Sequence, residues 1–371
     1  MRPRSVLATL ATVTAGLAAA TCLTAAGPAT ARSGPADSTD GNSCSSSVSI
    51  EGFSDALDKT TYENTFVGNI SALAVDRDGA IAALSDRSAL FTLDPRTLRP
   101  RSVVPLADES GAALDSEGLV VDRDGTRLVS SETEPSVRRY GRDGTALGRL
   151  SVPDALRVAP AGRAVSNQTF EALTLFPGGR TLLAGMEGSL SGDTPGVVRL
   201  QSWQRHDSHG AHHSHAVHGH QDFRLAAQYG YRTDTGLGVV ETAATPDGSR
   251  LLVLERGFTP GVGNTVRLYL ADLRHATDTS GVEALTGQDG VRLVRKTLLA
   301  DLADCPSLGA TAKQPQPNPL LDNIEGMTIT GRTPGAHRTH GAHSALKVLL
   351  VSDDNQNAVQ TTRFYSLRVR L

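Results

Sequence analysis

The chain lacks the signatures that nucleophilic and nucleotide-binding enzymes depend on. No Gly-x-Ser-x-Gly elbow occurs, and the nearest string, Glu187-Gly-Ser-Leu-Ser-Gly, has the wrong spacing. Outside two low-complexity tracts the single histidine is His275, so a Ser-His-Asp triad has no base. P-loop and dinucleotide fingerprints are absent. No window of about 12 residues carries a helical apolar stripe, and beyond the N-terminus no apolar run is long enough to span a bilayer. A net charge of −3 gives no electrostatic case for nucleic acid or an anionic membrane as partner.

What is present begins with a targeting segment. Arg2 and Arg4 precede the apolar run Val6 to Ala20, and Ala29-Thr30-Ala31 supplies small residues for cleavage, so residues 1–31 are expected to be a signal peptide. The residues before Cys22 make a poor lipoprotein signal, which favours simple secretion. Residues 32–47 are rich in Ser, Gly and Asp and are expected to be a disordered linker. Of three cysteines, Cys44 and Cys305 survive processing. Two such thiols in an exported protein are expected to pair, tying the lead-in to the last part of the chain.

From Val48 to Leu371 one phrase is written five times: an apolar strand, a turn, and a second apolar strand ending in a carboxylate. The copies are NISALAVDRDGAIAALSDRS, DSEGLVVDRDGTRLVSSETEPS, TFEALTLFPGGRTLLAGMEGSL, GVVETAATPDGSRLLVLERGF and DNIEGMTIT with LKVLLVSDDNQ. A hairpin recurring at roughly 40–50 residues indicates a propeller. Asp-Gly between the paired strands is a hairpin signal, expected here as a type I′ turn. We expect an all-β fold, a beta-propeller of six blades with seven possible, because the weakly marked stretches 191–235 and 264–302 have room for more. A strand near 48–55 is expected to pair with the final strand and close the ring. Two Gly/His-rich insertions, 205–221 and 335–343, are expected as loops. Either they bind Zn²⁺ or Cu²⁺, or their metal binding is adventitious.

Each copy places an acidic or small polar residue at two points. The first opens the leading strand: Ser71, Glu117, Glu171, Glu241 (one residue out of step) and Glu325. The second ends the following strand: Asp86, Glu132, Glu187, Glu255 and Asp353. Propeller strands are ordered about a central channel, so these ends should converge on one mouth. Clustered carboxylates raise each other's pKa and call for a cation, and hard oxygen ligands suit Ca²⁺. The alternative is a set of blade-to-blade hydrogen bonds. Arg87 and Arg256 follow strand-end acids, where they either hold an anionic group or neutralise their neighbours. Asn69, Asn323 and Asn355 are further neutral ligand candidates.

Taken together, these motifs resemble the secreted bacterial phytase-like family, "esterase-like activity of phytase", over roughly residues 52–371. The resemblance implies a calcium-dependent propeller acting on phosphate or carboxylic esters. By position it carries over Glu117, Glu132, Glu171, Glu187, Glu255, Glu325 and Asp353 as metal ligands, with Asp354 and Asn355 beside them. Ser71 departs from the pattern. Three readings follow. One is a secreted hydrolase of a small anionic ester or phosphate, with Glu117 and Glu325 catalytic and Arg87 and Arg256 binding substrate. Another is a non-catalytic extracellular scaffold with a structural ion, and the third is a lactonase resembling the gluconolactonase group. A monomer is expected.

Overall fold

A computed structural model describes residues 40–205, 223–333 and 344–371. The expected signal peptide, and both His-rich insertions apart from Arg205, lie outside the described residues. Among those described there is no α-helix. Twenty-two strands and three short 3-10 turns make up the regular structure.

Twenty of the strands form five four-stranded antiparallel sheets. Blade 1 comprises Ile70–Val75, Ile81–Ser85, Ala89–Leu93 and Pro100–Pro105. Blade 2 comprises Ser116–Val121, Arg127–Ser131, Ser136–Tyr140 and Ala146–Arg149. Blade 3 comprises Phe170–Leu175, Thr181–Met186, Val197–Arg205 and Phe223–Arg232. Blade 4 comprises Gly238–Ala244, Leu251–Thr259, Gly263–Asp272 and Arg295–Asp301. Blade 5 joins Ile324–Arg332, Leu346–Ser352 and Phe364–Val369 to the N-terminal strand Val48–Ser54. The first strand of each of the first four blades, and Ile324–Arg332 of blade 5, contacts its counterparts on both sides, so these five inner strands close a ring.

The blade count therefore corrects the expectation of six or seven. The stretches credited with an extra blade are the outer strands of blades 3 and 4, which run to 9 or 10 residues in three of the four cases. Ring closure occurs as expected, with Val48 opposite Val369 and Ser54 opposite Phe364. The N-terminal strand thereby becomes the fourth strand of blade 5 and fastens both ends of the described chain into one sheet.

The inner hairpins differ from expectation in their turn. In Asp76-Arg77-Asp78-Gly79 the Gly79 amide donates to the Asp76 carbonyl (2.9 Å), and only Gly79 has positive φ, +83°. A four-residue turn ending in left-handed glycine replaces type I′, whose two central residues would both need positive φ.

The apolar strand positions pack blade against blade. Leu73, Phe91 and Val351 join blades 1 and 5, while Val240, Leu254 and Met327 join blades 4 and 5. Trp203 is fully buried, stands edge-on to Phe170, and donates its indole N–H to the Ser151 carbonyl (2.8 Å). Cys44 and Cys305 are bonded, linking positions 261 residues apart. A cross-link over so long a loop contributes roughly 2–5 kcal/mol. This bond also corrects the view of 32–47 as wholly disordered. Residues 40–47 make a short turn, bury Cys44, and place the Ser45 hydroxyl on the Leu299 carbonyl (2.6 Å).

Candidate functional site

One irregularity, repeated in every blade, builds the site. Each inner strand carries a register break near its start: between Ile70 and Ala72, Ser116 and Leu119, Phe170 and Ala172, Val239 and Glu241, and Ile324 and Gly326. An extra residue on one strand bends it and re-aims a side chain. Ser71, Glu117, Glu171, Val240 and Glu325 occupy these bulges. In four blades the residue after the second strand returns alongside. The amide of Asp86 donates to the Asn69 carbonyl (2.8 Å), Glu132 to Asp115 (3.0 Å), Glu187 to Thr169 (2.8 Å) and Asp353 to Asn323 (2.9 Å).

Acids far apart in sequence thus meet at one mouth of the channel, in a cavity of about 510 Å³ with almost wholly polar walls. Its carboxylates are Asp86, Asp115, Glu117, Glu132, Glu171, Glu187, Glu325 and Asp353, and its cations are Arg87 and Arg256. Asn323 and Asn355 also line it, whereas Asn69 sits behind and donates its side-chain amide to Asp86 (3.3 Å). Asp354 faces elsewhere, accepting from the Asn69 amide (2.9 Å) and from Lys59.

Blade 4 breaks the pattern, and two expected ring members are corrected there. Gly238 pairs with Arg256 and Val239 with Glu255. The positions equivalent to Glu132 and Glu117 are therefore Arg256 and Val240, not Glu255 and Glu241. Glu255 lies one step lower and is fully buried outside the mouth. It accepts from the Tyr231 hydroxyl (2.7 Å), the Asp234 amide (2.8 Å) and Lys296 (2.5 Å). Glu241 takes the place of Ala72, Ala172 and Gly326, and accepts from the backbone amides of Thr242 (2.8 Å) and Leu173 (3.3 Å). One residue of slip moves every side chain to the other face.

The mouth is electrostatically frustrated. Burial, followed by the negative charge of neighbouring acids, pushes Glu117, Glu171 and Asp353 well above the ordinary carboxylate range. The same causes raise Glu132 to about 8, and burial raises Asp86 to about 6. Burial also raises Glu187 and Glu325, while Arg256 pulls both back. Arg256 is 2.9 Å from Glu325 and 3.9 Å from Glu187. Arg87, by contrast, is 67% exposed and 3.5 Å from Asp86.

The donor set fits a hard divalent cation. Asp115, Glu117 and Glu132 each bring one oxygen within 4.8 Å of the others, and Glu132, Glu171 and Glu187 do the same. Glu132, common to both groups, is only 3% exposed, and its Oε1 accepts no hydrogen bond. Ser71 Oγ and Asp86 Oδ1 are likewise buried without a hydrogen bond, Asp86 Oδ1 having only the Arg87 guanidinium at 3.5 Å. Orphaned polar atoms aimed into a cavity are costly unless a ligand satisfies them.

Two lining residues escape a motif-based reading, Asp115 and Asn167. Asp115 precedes its inner strand at the place of Asn69 and Asn323, which is the signal that would have found it. Asn167 belongs to the irregular segment before blade 3 and has no counterpart in the repeat.

A sequence model of the phytase-like family, described as "Esterase-like activity of phytase", matches residues 65–370. The chain belongs to this family. The phytase-like match takes in the inner strand of every blade, and hence the acidic mouth. No curated protein matches the sequence. Among solved structures the phytase-like chain is similar to a Bacteroides caccae protein of unknown function, at 9% identity over 75% of this chain and 68% of that one, with a TM-score of 0.32. It is also similar to the PQQ-bound aldose sugar dehydrogenase of Streptomyces coelicolor, at 13% identity over 89% of this chain and 100% of that one, with a TM-score of 0.39. Likenesses this weak say nothing about chemistry, so the phytase-like mouth has to be read from its own residues.

Proposed function

We propose that the protein is a secreted, calcium-dependent hydrolase of small phosphate or carboxylic esters, working as a monomer. The observation that carries this reading is the convergence of eight carboxylates on one cavity with only two arginines among them. Such a set repels itself unless a cation sits between its members. Glu132 is the shared ligand of two overlapping groups, with Asp115 and Glu117 on one side and Glu171 and Glu187 on the other. Bound there, Ca²⁺ supplies Lewis-acid polarisation of an ester oxygen and acidifies a coordinated water.

The chain's own residues supply the remaining roles. Glu117, on the wall of the cavity, is placed to take a proton from the attacking water. Glu325 is oriented by Arg256 and by the Asn323 side-chain amide (2.9 Å), which keeps Arg256 directed at the cavity. Arg256 and the exposed Arg87 would take the anionic part of the substrate, since guanidinium groups pair bidentately with phosphate or carboxylate. Export through a cleaved 1–31 leader is in keeping with the disulfide.

A scaffold whose ion staples the ring is the second reading, favoured by the fact that the acids come from four different blades. A lactonase is the third. The deciding experiment is to incubate the protein with phytate, nitrophenyl esters and sugar lactones, with Ca²⁺ and with chelator. Calcium-dependent release of phosphate or acid is expected. If calcium raises thermal stability while every substrate stays intact, the scaffold reading replaces this one.

A further inference from the structure

Blade 4 supplies the mouth with no acid. Its bulge carries Val240, and Arg256 stands where the other blades place Asp86, Glu132, Glu187 and Asp353. The Arg256 guanidinium reaches both neighbouring blades, lying 2.9 Å from Glu325 of blade 5 and 3.9 Å from Glu187 of blade 3. Blade 4 makes room for the second contact. Gly238, paired with Arg256 across the hairpin, is so close to Glu187 that a Cβ would lie 2.7 Å from its Cγ and 3.2 Å from its Oε1. A side chain at position 238 would displace that carboxylate.

The acids in the two halves of the mouth find different partners. Around blades 5 and 1, protein donors meet them. Glu325 takes Arg256 and the Asn323 side-chain amide (2.9 Å), Asp353 takes the Asn355 backbone amide (2.8 Å), and Asp86 takes the Asn69 side-chain amide (3.3 Å). In blades 2 and 3 the acids meet one another. Asp115 shares a hydrogen bond with Glu117, and Glu132 shares one with Glu171. Carboxyls in such contact must hold a proton between them or give way to a cation. The buried Glu132 Oε1 accepts no hydrogen bond at all. Among the described residues, both sets of three acids with oxygens within 4.8 Å of one another belong to this half.

Resting on the cation-binding part of the reading above, we infer that Arg256 is a built-in cation that confines calcium to the half of the mouth made by blades 2 and 3. Calcium needs about six to eight oxygen ligands. Beside Arg256 it would find too few, because blade 4 offers Val240 and a guanidinium in place of two carboxylates. It would also face a like charge, at a spot where Glu187 and Glu325 already have their counter-ion. The mouth is thereby divided into a metal side and a guanidinium side, with Glu187 on the boundary. The arginine fixes both how many ions bind and where.

The test counts calcium on the full chain by calorimetry and by metal analysis after gel filtration. Arg256→Glu restores the acid that the other four blades carry, and it should bind one more ion per chain than wild type. Arg256→Gln, which removes the charge alone, should raise the count in the same way if the glutamate variant folds poorly. Glu132→Gln should weaken calcium binding by about tenfold or more, whereas Asp353→Asn should stay within about twofold of wild type. An unchanged count in both Arg256 variants, equal losses in Glu132→Gln and Asp353→Asn, or no calcium binding by wild type overturns the inference. Ester turnover together with an unchanged count in both Arg256 variants would remove this inference alone. The expected counts without any turnover would sustain it while removing the hydrolase reading.

Discussion

The two faces of the propeller treat their acids in opposite ways. On the face away from the mouth, Asp76 meets Arg127 and Arg142 (3.0 Å), and Asp122 meets Arg139 (2.8 Å) and Arg205 (2.6 Å). These carboxyls are shielded from solvent too, yet both are held below their ordinary range, because hydrogen bonds and guanidinium charge outweigh burial. At the mouth the supply of partners runs out and the carboxyls are pushed up. Deep burial and a shortage of partners act together at the mouth, whereas on the other face partners outweigh burial.

That contrast can be broken by mutation. Glu117→Gln and Glu325→Gln should each lower kcat/KM by about 10²–10⁴ while the five-bladed fold survives, and Glu117→Gln should raise the metal-free melting temperature by relieving repulsion at the mouth. Full activity in both variants would empty the mouth of catalytic meaning. Asp122→Asn, on the other face, takes the counter-charge from the buried Arg205 and leaves Arg139 only Asp124 (3.7 Å), and should cost about 3–5 kcal/mol in chemical denaturation. A loss below about 1 kcal/mol would show that the two faces are not different in kind.

A pH titration sharpens the comparison, with a smaller effect. The mouth carboxyls titrate higher in the folded than in the unfolded chain, with Asp86 near 6 and Glu132 near 8. Between about pH 4 and 8 the folded state then holds more protons, so metal-free stability should fall as pH rises through that window. The depressed acids Asp76 and Asp122 act oppositely: their contribution is present above about pH 4 and lost below it. Melting temperatures in chelator should decline from about pH 5 to 8, and millimolar Ca²⁺ should flatten the decline. A melting temperature that climbs over this interval without metal contradicts the assignment.

Much of this was legible in the text of the chain because repetition carries geometry. Five copies of one hairpin announced the propeller, the terminal strands announced its closure, and two cysteines announced their bond. What stayed hidden was register. In blade 4 the letters align Glu241 and Glu255 with the other acids, but the hydrogen-bond ladder sets Val240 and Arg256 there instead. Sequence similarity rewards matching residue types, whereas a sheet is indexed by pairing. The blade count failed for a related reason. Long outer strands and the connection between Asp272 and Arg295 lengthen blades 3 and 4 without adding a sheet.

The strand Val48–Ser54 has an implication for how the molecule comes into being. Among the described residues its sheet partner is Phe364–Val369, more than 300 positions later. During synthesis or export the earliest strand must therefore stay unmatched until the latest one arrives. A polypeptide cut short anywhere in between would present raw edges to its neighbours, so quality control has a simple criterion: the circle is either finished or sticky.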